Sequence, residues 1–544
     1  MVTDRVQSLP AEGASSSAAG GWAPLRHPDF RRLWSAQFTS NVGSWMQTVA
    51  AQWVMTSLTG SALLLSAISA AGSIPVLLLA VPAGTLGDLV DRRRLILASQ
   101  AVMLLASVAL AVLASAGALT PGVLLGLLFV IGIGGAASAP TWQTLQPELV
   151  PAADRPQAIA LGSVNQNLAR AVGPAIGGVL LAATGAAIVF LANAASFLAV
   201  LGAVAVTMIP RRKLTLPREH AIAAVRAGGR YTINSPTLIA LIARAIAFIF
   251  PAGAIWALLP LVARGRLGLG SSGYGLLLGC VGVGALAAAT FGPALRQRLA
   301  PRGIYALACL VLAGASVLLA MTHSVAVAVV ALVASGAAWI TGLGLLGAAY
   351  QGELPSWVKA RGLSYYLVAF QGANGIGALV IGGVAQGSSV SDALYVVGAM
   401  LAVAAVITWR LALPASAAGA ITSEEPLPLP ELDTAVEHGP VVITVTYALA
   451  PGDDQRFLER AAELRRVRRR TGATHWHLHR DLADRDVFVE MFVVGSWEEH
   501  ERQHDRLGGR ERAILDEIDR LLRPTTHRAA RHALGVRPPR SHQR

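Results

Sequence analysis

His500-Glu501-Arg502-Gln503-His504 fits the H-E-x-x-H spacing, which sets two histidines one helical turn apart with a glutamate able to act as base beside a zinc ion. His475, His477 and His479 alternate along a strand-like run and so share one face. A hydrolytic zinc site also needs a third ligand, a substrate cleft and a larger domain, and the surrounding sequence offers none. The expectation is a solvated amphipathic helix for the first motif. For the second it is a polar outer strand face, with Trp476 and Leu478 packed inside. No catalytic residue, metal or cofactor is assigned.

The other chemically loaded residues are polar groups inside apolar runs. Arg170 follows Gln166 and Asn167 by one helical turn and Ser163 by two, forming a stripe that continues into Gly173 and Gly177. Asn41, Trp45, Thr48 and Gln52 form a comparable stripe nearer the N-terminus. Arg244, Gln371 and Asn374 are the candidates from the second half of the chain, and Trp142, Trp339, Tyr350 and Tyr365 are the aromatic ones. A charge in an apolar helix is costly, so Arg170 is expected to face either a solute path or satisfying carbonyls. For each lone aromatic, packing is expected over ligand contact.

These stripes need helices to hold them. About twelve apolar stretches, near 34–56, 62–86, 95–116, 122–144, 158–182, 187–209, 237–262, 272–295, 303–322, 325–349, 361–386 and 392–413, each have the length to cross a bilayer. They fall into two sets of six that partly repeat. Gln146 and Gln351, Glu148 and Glu353, Gln166 and Gln371, and Gly177-Gly178 and Gly382-Gly383 are all 205 residues apart. With 54% apolar and 14% charged residues, an ordinary soluble globule is excluded. A duplicated six-helix bundle usually encloses a solute path between its halves. The fold class read is therefore an α-helical membrane protein of twelve helices in two pseudo-repeats, followed by a small α+β domain.

The net charge of +13 is placed as in a membrane protein rather than a nucleic-acid binder. Arg26, Arg31, Arg32, Arg92, Arg93, Arg94, Arg155, Arg211, Arg212, Lys213, Arg218, Arg226, Arg230, Arg296, Arg298, Arg302, Lys359, Arg361 and Arg410 all fall on one side of the expected spans. Only Arg264 and Arg266 depart from this. The positive-inside rule then puts both termini in the cytoplasm. Cys280 and Cys309 lie within spans and imply no disulfide framework. Residues 1–30 read as a flexible tail without a signal-peptide core. The divisions expected after it are 31–210, a central loop 211–235, 236–413, a linker 414–440, a soluble domain 441–536 and a basic tail 537–544.

Between the second and third stretches runs Gly84-Thr85-Leu86-Gly87-Asp88-Leu89-Val90-Asp91-Arg92-Arg93-Arg94. Glycines there let helix ends approach, and Asp88 can cap a helix or pair with an arginine. A degraded copy, from Gly292 to Arg302, occupies the equivalent place in the second half. The fifth stretch holds Gly173-Pro174-Ala175-Ile176-Gly177-Gly178, where small residues permit close packing and Pro174 weakens the helix ladder. The first motif resembles the G-x-L-x-D-x-x-G-R-R loop of the major facilitator superfamily, with Asp91 where the pattern has glycine. The second resembles the G-P-x-x-G-G signature of its antiporter branch, which implies export. Glu148 and Glu353, near Arg155 and Arg361, are placed to form gating ion pairs.

From Val441 the order of strand-like and helix-like runs is β-α-β-β-α-β, as in a ferredoxin-like sandwich. GATHWHLHRDLAD with FVEMFVVGSWEEHERQHDR resembles the antibiotic-biosynthesis monooxygenase type of α+β barrel, a domain that can self-associate. A tail of this kind resembles the one on the enterobactin-exporter-like, transmembrane secretion effector branch of the superfamily. The resemblance implies an ion-gradient-driven exporter of siderophores or amphipathic drug-like molecules in a bacterial inner membrane, not an enzyme. Its partners would be a small-molecule substrate and the lipid bilayer, without nucleic acid. An importer, or a membrane-tethered monooxygenase-like or metal-dependent enzyme, are the alternatives. No carboxylate lies mid-span, and the coupling ion stays open.

Overall fold

The computed structural model describes residues 21–89, 91–207, 221–355, 357–410, 439–507, 509–524 and 526–535, without side chains at 80–90, 221–225 and a few single positions. Residues 414–438 of the linker, the tail 537–544 and residues 1–20 therefore lie outside the described residues. Six helices come first: α1 (Pro28–Leu58), α2 (Ala62–Leu89), α3 (Arg92–Ser115), α4 (Pro121–Glu148), α5 (Arg155–Thr184) and α6 (Ala186–Val206). A short α7 (Ala221–Ile233) follows. Then come α8 (Pro236–Leu261), α9 (Ser271–Arg298), α10 (Pro301–Met321), α11 (Val325–Gly352), α12 (Lys359–Gly387) and α13 (Val390–Arg410).

The sequence marks these helix starts locally. Pro121, Pro236 and Pro301 open α4, α8 and α10, where a missing N–H costs nothing. Thr120 caps α4 by accepting from the Val123 amide at 3.3 Å. Asp91, which departs from the glycine of the loop signature, caps α3 by accepting from the Arg94 amide at 3.0 Å. Gly185, at φ +85°, makes the tight turn from α5 into α6.

Eleven stretches among the described residues are long and apolar enough to cross a membrane. At 31 residues α1 has the length, but Gln37, Asn41, Gln47 and Gln52 lower its hydropathy. Within the bundle α1 packs on α5 and α6, α2 on α4, and α3 on α6, while α8 packs on α12, α9 on α11, and α10 on α13. The two groups meet where α5 runs along α9 and α2 along α12. The central loop expected at 211–235 instead contains α7. Gly228 and Gly229 let α7 sit on α12, since a Cβ on Gly228 would stand 2.8 Å from Arg361 Cβ.

The soluble domain comprises β1 (Val441–Ala448), α14 (Asp454–Thr471), β2 (His475–Arg480), β3 (Val487–Val494), α15 (Trp497–Asp505), α16 (Gly509–Asp519) and β4 (Ala529–Leu534). Its antiparallel sheet has the order β2-β3-β1-β4. Alternating residues of β1 and β3 (Val441, Ile443, Val445, Tyr447; Phe488, Phe492, Val494) are buried with Phe457, Leu464 and Ile518. Among them Glu490 is fully buried and accepts four hydrogen bonds. The donors are Arg468 Nε (3.1 Å), Arg468 Nη2 (3.3 Å), Tyr447 OH (2.6 Å) and Trp476 Nε1 (2.8 Å).

Candidate functional site

Arg170 lies in the face of α5 that meets α1. Its guanidinium stands 5.5 Å from the centroid of the Trp45 ring, and its buried Nε has no hydrogen-bond acceptor among the described residues. Cation–π attraction offsets part of the cost of a charge in an apolar helix. Gly173 makes the approach possible, because a Cβ there would stand 2.6 Å from Trp45 Cβ. One turn on, Gly177 fits against Met46. Pro174 is accommodated inside α5, and Gly178, one turn beyond it, faces α9.

The remaining polar candidates divide among different neighbours. Asn41 donates to Asn165 Oδ1 at 2.8 Å, and Asn165 in turn donates to the Trp34 carbonyl at 2.9 Å. Gln52 is buried and accepts from Tyr274 OH of α9. Gln166 is exposed, while Asn167 bonds back to the Ser163 carbonyl at 3.0 Å. From the second half, Asn374 donates to Ser73 Oγ of α2 at 3.0 Å, Gln371 is half-buried, and the Arg244 carbonyl accepts from Tyr305 OH at 2.8 Å. Only Trp45 and Arg170 are brought together as a charged and aromatic pair from the two expected stripes.

At the helix ends Glu148 pairs with Arg92 at 2.7 Å, not with Arg155, which is exposed at the first turn of α5. Arg92 opens α3 beside the end of α4, so it reaches the carboxylate directly. Arg93 donates to the Ala205 carbonyl at the end of α6. Near Glu353, Tyr231 OH of α7 donates to the Glu353 carbonyl at 3.4 Å. Gly84 is within α2, but its surroundings and the side chain of Asp88 lie outside the described residues.

In the soluble domain the H-E-x-x-H residues do not converge as ligands. His500 Nε2 is 2.9 Å from His532 Nε2, and Nδ1 is 3.3 Å from Gln503 Oε1. Glu501 instead accepts from Trp497 Nε1 at 2.8 Å. His475, His477 and His479 are exposed, with Trp476 and Leu478 turned inward, as the alternation predicts.

The family of transmembrane secretion effectors matches residues 19–539, which is nearly the whole chain. The chain belongs to that family. As a secretion effector of the major facilitator type it is 32% identical over 171 residues to the staphyloferrin A transporter of Staphylococcus aureus, covering 31% of this chain and 43% of that protein. It is 26% identical over 151 residues to macrolide efflux protein A of Streptococcus pyogenes, covering 28% and 37%. The chain thus spans less than half the length of these two curated relatives. A nucleoside transporter superposes with a TM-score of 0.57 at 12% identity, covering 70% of this chain and 99% of that one. A bacterial homologue of the human lysosomal transporter Spinster gives 0.57 at 15%, covering 71% and 97%.

Two groups of residues in this secretion effector escaped the sequence reading. Gln47 is buried and accepts from Ser107 Oγ (3.0 Å) and Asn193 Nδ2 (2.7 Å), tying α1 to α3 and α6. Its position off the Asn41–Gln52 stripe was the available signal. The second group is the contact of the soluble domain with the bundle. Arg506 lies over Trp357 at 4.5 Å, Arg470 over Tyr231 at 5.6 Å, and Arg230 pairs with Glu499 at 3.4 Å. Nothing in local spacing announces those pairs.

Proposed function

We propose that the chain exports siderophores or amphipathic drug-like molecules by alternating access between two six-helix halves, α1–α6 and α8–α13, with α1 as a twelfth span and both termini cytoplasmic. The observation that carries this reading is the correspondence of contacts. The packings α1–α5, α2–α4 and α3–α6 recur as α8–α12, α9–α11 and α10–α13, and the halves meet along α5–α9 and its counterpart α12–α2. The names of the staphyloferrin A transporter and of macrolide efflux protein A support the substrate class.

In this reading Trp45 and Arg170 meet an anionic or aromatic part of the solute, with Asn41, Gln52, Gln166, Asn167, Arg244, Gln371 and Asn374 as further lining. The Arg92–Glu148 pair, with Gly84, Asp88, Arg93, Arg155, Glu353 and Arg361, works at the cytoplasmic ends. Gly173, Pro174, Gly177 and Gly178 set the helix spacing. An ion gradient supplies the driving force. The soluble domain keeps the ferredoxin-like, monooxygenase-type arrangement as a non-enzymatic appendage, supported by its β2-β3-β1-β4 order.

Everted vesicles given a siderophore and dye panel under imposed proton gradients test the reading. Arg170→Lys keeps the charge but loses the planar fork, and should retain partial transport. Arg170→Gln should abolish transport of anionic substrates and spare neutral or cationic ones. Uniform loss with poor folding would remove Arg170 from the path, and movement in the opposite direction would make the protein an importer.

A further inference from the structure

Between α14, β2 and the corner joining α7 to α8 lies a cleft of about 430 Å³. Its lining includes Asn234, Leu458, Arg465, Arg466, Arg469 and Trp476, and no carboxylate. The spacing of Leu458, Arg465, Arg466 and Arg469 places them along one side of α14. Other arginines of this helix are spoken for: Arg456, Arg460, Arg468 and Arg470 each pair with an acidic residue. Arg465, Arg466 and Arg469 make no ion pair among the described residues, and Arg469 Nε is buried without an acceptor.

The opposite wall is aromatic and fixed. Trp476 donates its indole N–H to the buried Glu490 at 2.8 Å, and Arg465 lies over its ring at 5.8 Å. Leu458 adds an apolar surface that is 46% exposed. Asn234 sets the height of the cleft, because it stands two residues before Pro236, the first residue of a helix of membrane-crossing length and hydropathy. With α8 crossing the bilayer from Pro236, as proposed above, the cleft comes to the level of the lipid head groups, with three guanidiniums outside any ion pair among the described residues beside an aromatic and an aliphatic surface.

We propose that this cleft binds the phosphodiester of an anionic phospholipid from the leaflet in which α8 begins. Guanidinium forks suit phosphate oxygens, and a desolvated arginine lacking an acceptor gains most from one. Leu458 and the Trp476 ring would cover the glycerol and upper acyl chain, which a free phosphate could not use. The placement rests on the proposed orientation of the bundle, while the direction of transport does not enter.

The test uses the full-length protein in nanodiscs of phosphatidylcholine containing a photoactivatable phosphatidylglycerol, with adducts mapped by peptide mass spectrometry. Adducts are expected on peptides covering residues 454–480. Arg465→Gln/Arg466→Gln/Arg469→Gln should reduce them at least roughly tenfold, since each basic residue near an anionic surface contributes to binding. Arg485→Gln, on the β2–β3 turn, should leave them unchanged, and an unaltered thermal transition would show that the triple variant is folded. Two competition arms separate the sources of phosphate. Inorganic phosphate and glycerophosphate should fail to displace the lipid. Displacement by either would assign the cleft to a soluble phosphate ester and overturn the lipid reading. Adducts confined to the bundle, or equal in wild type and triple variant, would overturn it as well. A failure of this kind leaves vesicle transport intact, whereas loss of export in vesicles leaves the adduct map intact, so the two readings fail separately.

Discussion

The guanidinium of Arg506 lies 4.5 Å from the ring of Trp357, so a residue of the soluble domain covers the loop between α11 and α12. The same guanidinium donates to the Thr471 carbonyl and to Glu499 Oε1, both at 2.7 Å, and Glu499 also pairs with Arg230 of α7. Trp357 meets Tyr231 edge-on at 5.6 Å, and Tyr231 OH reaches the Glu353 carbonyl. The attachment is an aromatic pair gripped by arginines, with one carboxylate between them.

Replacing Trp357 with Ala removes the ring that Arg506 covers and that Tyr231 meets edge-on. Docking should weaken by about 1–2 kcal/mol, the size of a desolvated cation–π contact. Hydrogen exchange in α7 and α15 should accelerate while the bundle's own protection is retained. Identical exchange in variant and wild type would rule out this contact as the attachment.

Glu490→Gln leaves the Arg468 guanidinium buried without its counter-charge. Breaking a buried pair by removing one partner costs about 3–5 kcal/mol. The calorimetric transition of the soluble domain should move down, and adding Arg468→Met should recover part of the loss. A transition unmoved by Glu490→Gln would show that the pair contributes little.

Burial, followed by the nearby His504 and His532, holds the imidazole of His500 down to about 3 from an ordinary 6.5. Burial also lowers His532. The groups facing His500 are Gln503 and His504 on α15, Arg468 on α14 and His532 on β4, with Trp497 and Phe492 beside its ring. The folded form keeps this ring neutral where the unfolded chain takes up a proton. Stability from His500 is therefore whole above pH 6.5 and is lost progressively toward pH 3, by up to about 1.4 kcal/mol per pH unit. Thermal melts of wild type and His500→Gln across this range should differ in acid slope. Parallel curves would exclude the effect.

A Cβ on Gly178 would stand 2.7 Å from Gly275 Cα and 2.9 Å from the Ser271 carbonyl, so Gly178→Val must push α5 away from α9. Overpacking of this kind costs about 1–3 kcal/mol. Transport should fall sharply with the protein still inserted. Gly383, its counterpart 205 residues on, has nothing within 4 Å of a Cβ, so Gly383→Ala should be silent. Equal effects at the two positions would show that the seam does not depend on this contact.

That asymmetry marks how far the sequence could be read. Helix positions followed from apolar length, and starts from residues such as Pro121, Pro236 and Asp91, because those signals are local. The 205-residue spacing pairs Gly177-Gly178 with Gly382-Gly383 but does not give their roles, since helix rotation about the axis decides which of two adjacent glycines meets a neighbour. Gly382 faces Ser66 of α2 while Gly177 faces Met46 of α1. Arg170 was legible as a costly charge, and its partner Trp45 lay on the other named stripe. Proximity along the chain puts Arg155 nearest Glu148, while the fold delivers Arg92 to it from another helix end. α7 carries no comparable local signal, because thirteen residues rich in Ala and Gly resemble a linker.

The close fit of Gly228 and Gly229 against α12 gives the appendage a reference frame. Through Arg230, Tyr231 and Trp357 the soluble domain is fastened to the side of the bundle built from α8 and α12. If the halves rock, it must swing with that side, like a pointer fixed to one leaf of a hinge. A dye on an exposed residue such as Leu482, paired with one on the α3–α4 turn, would then read each stroke of the cycle as a change in distance.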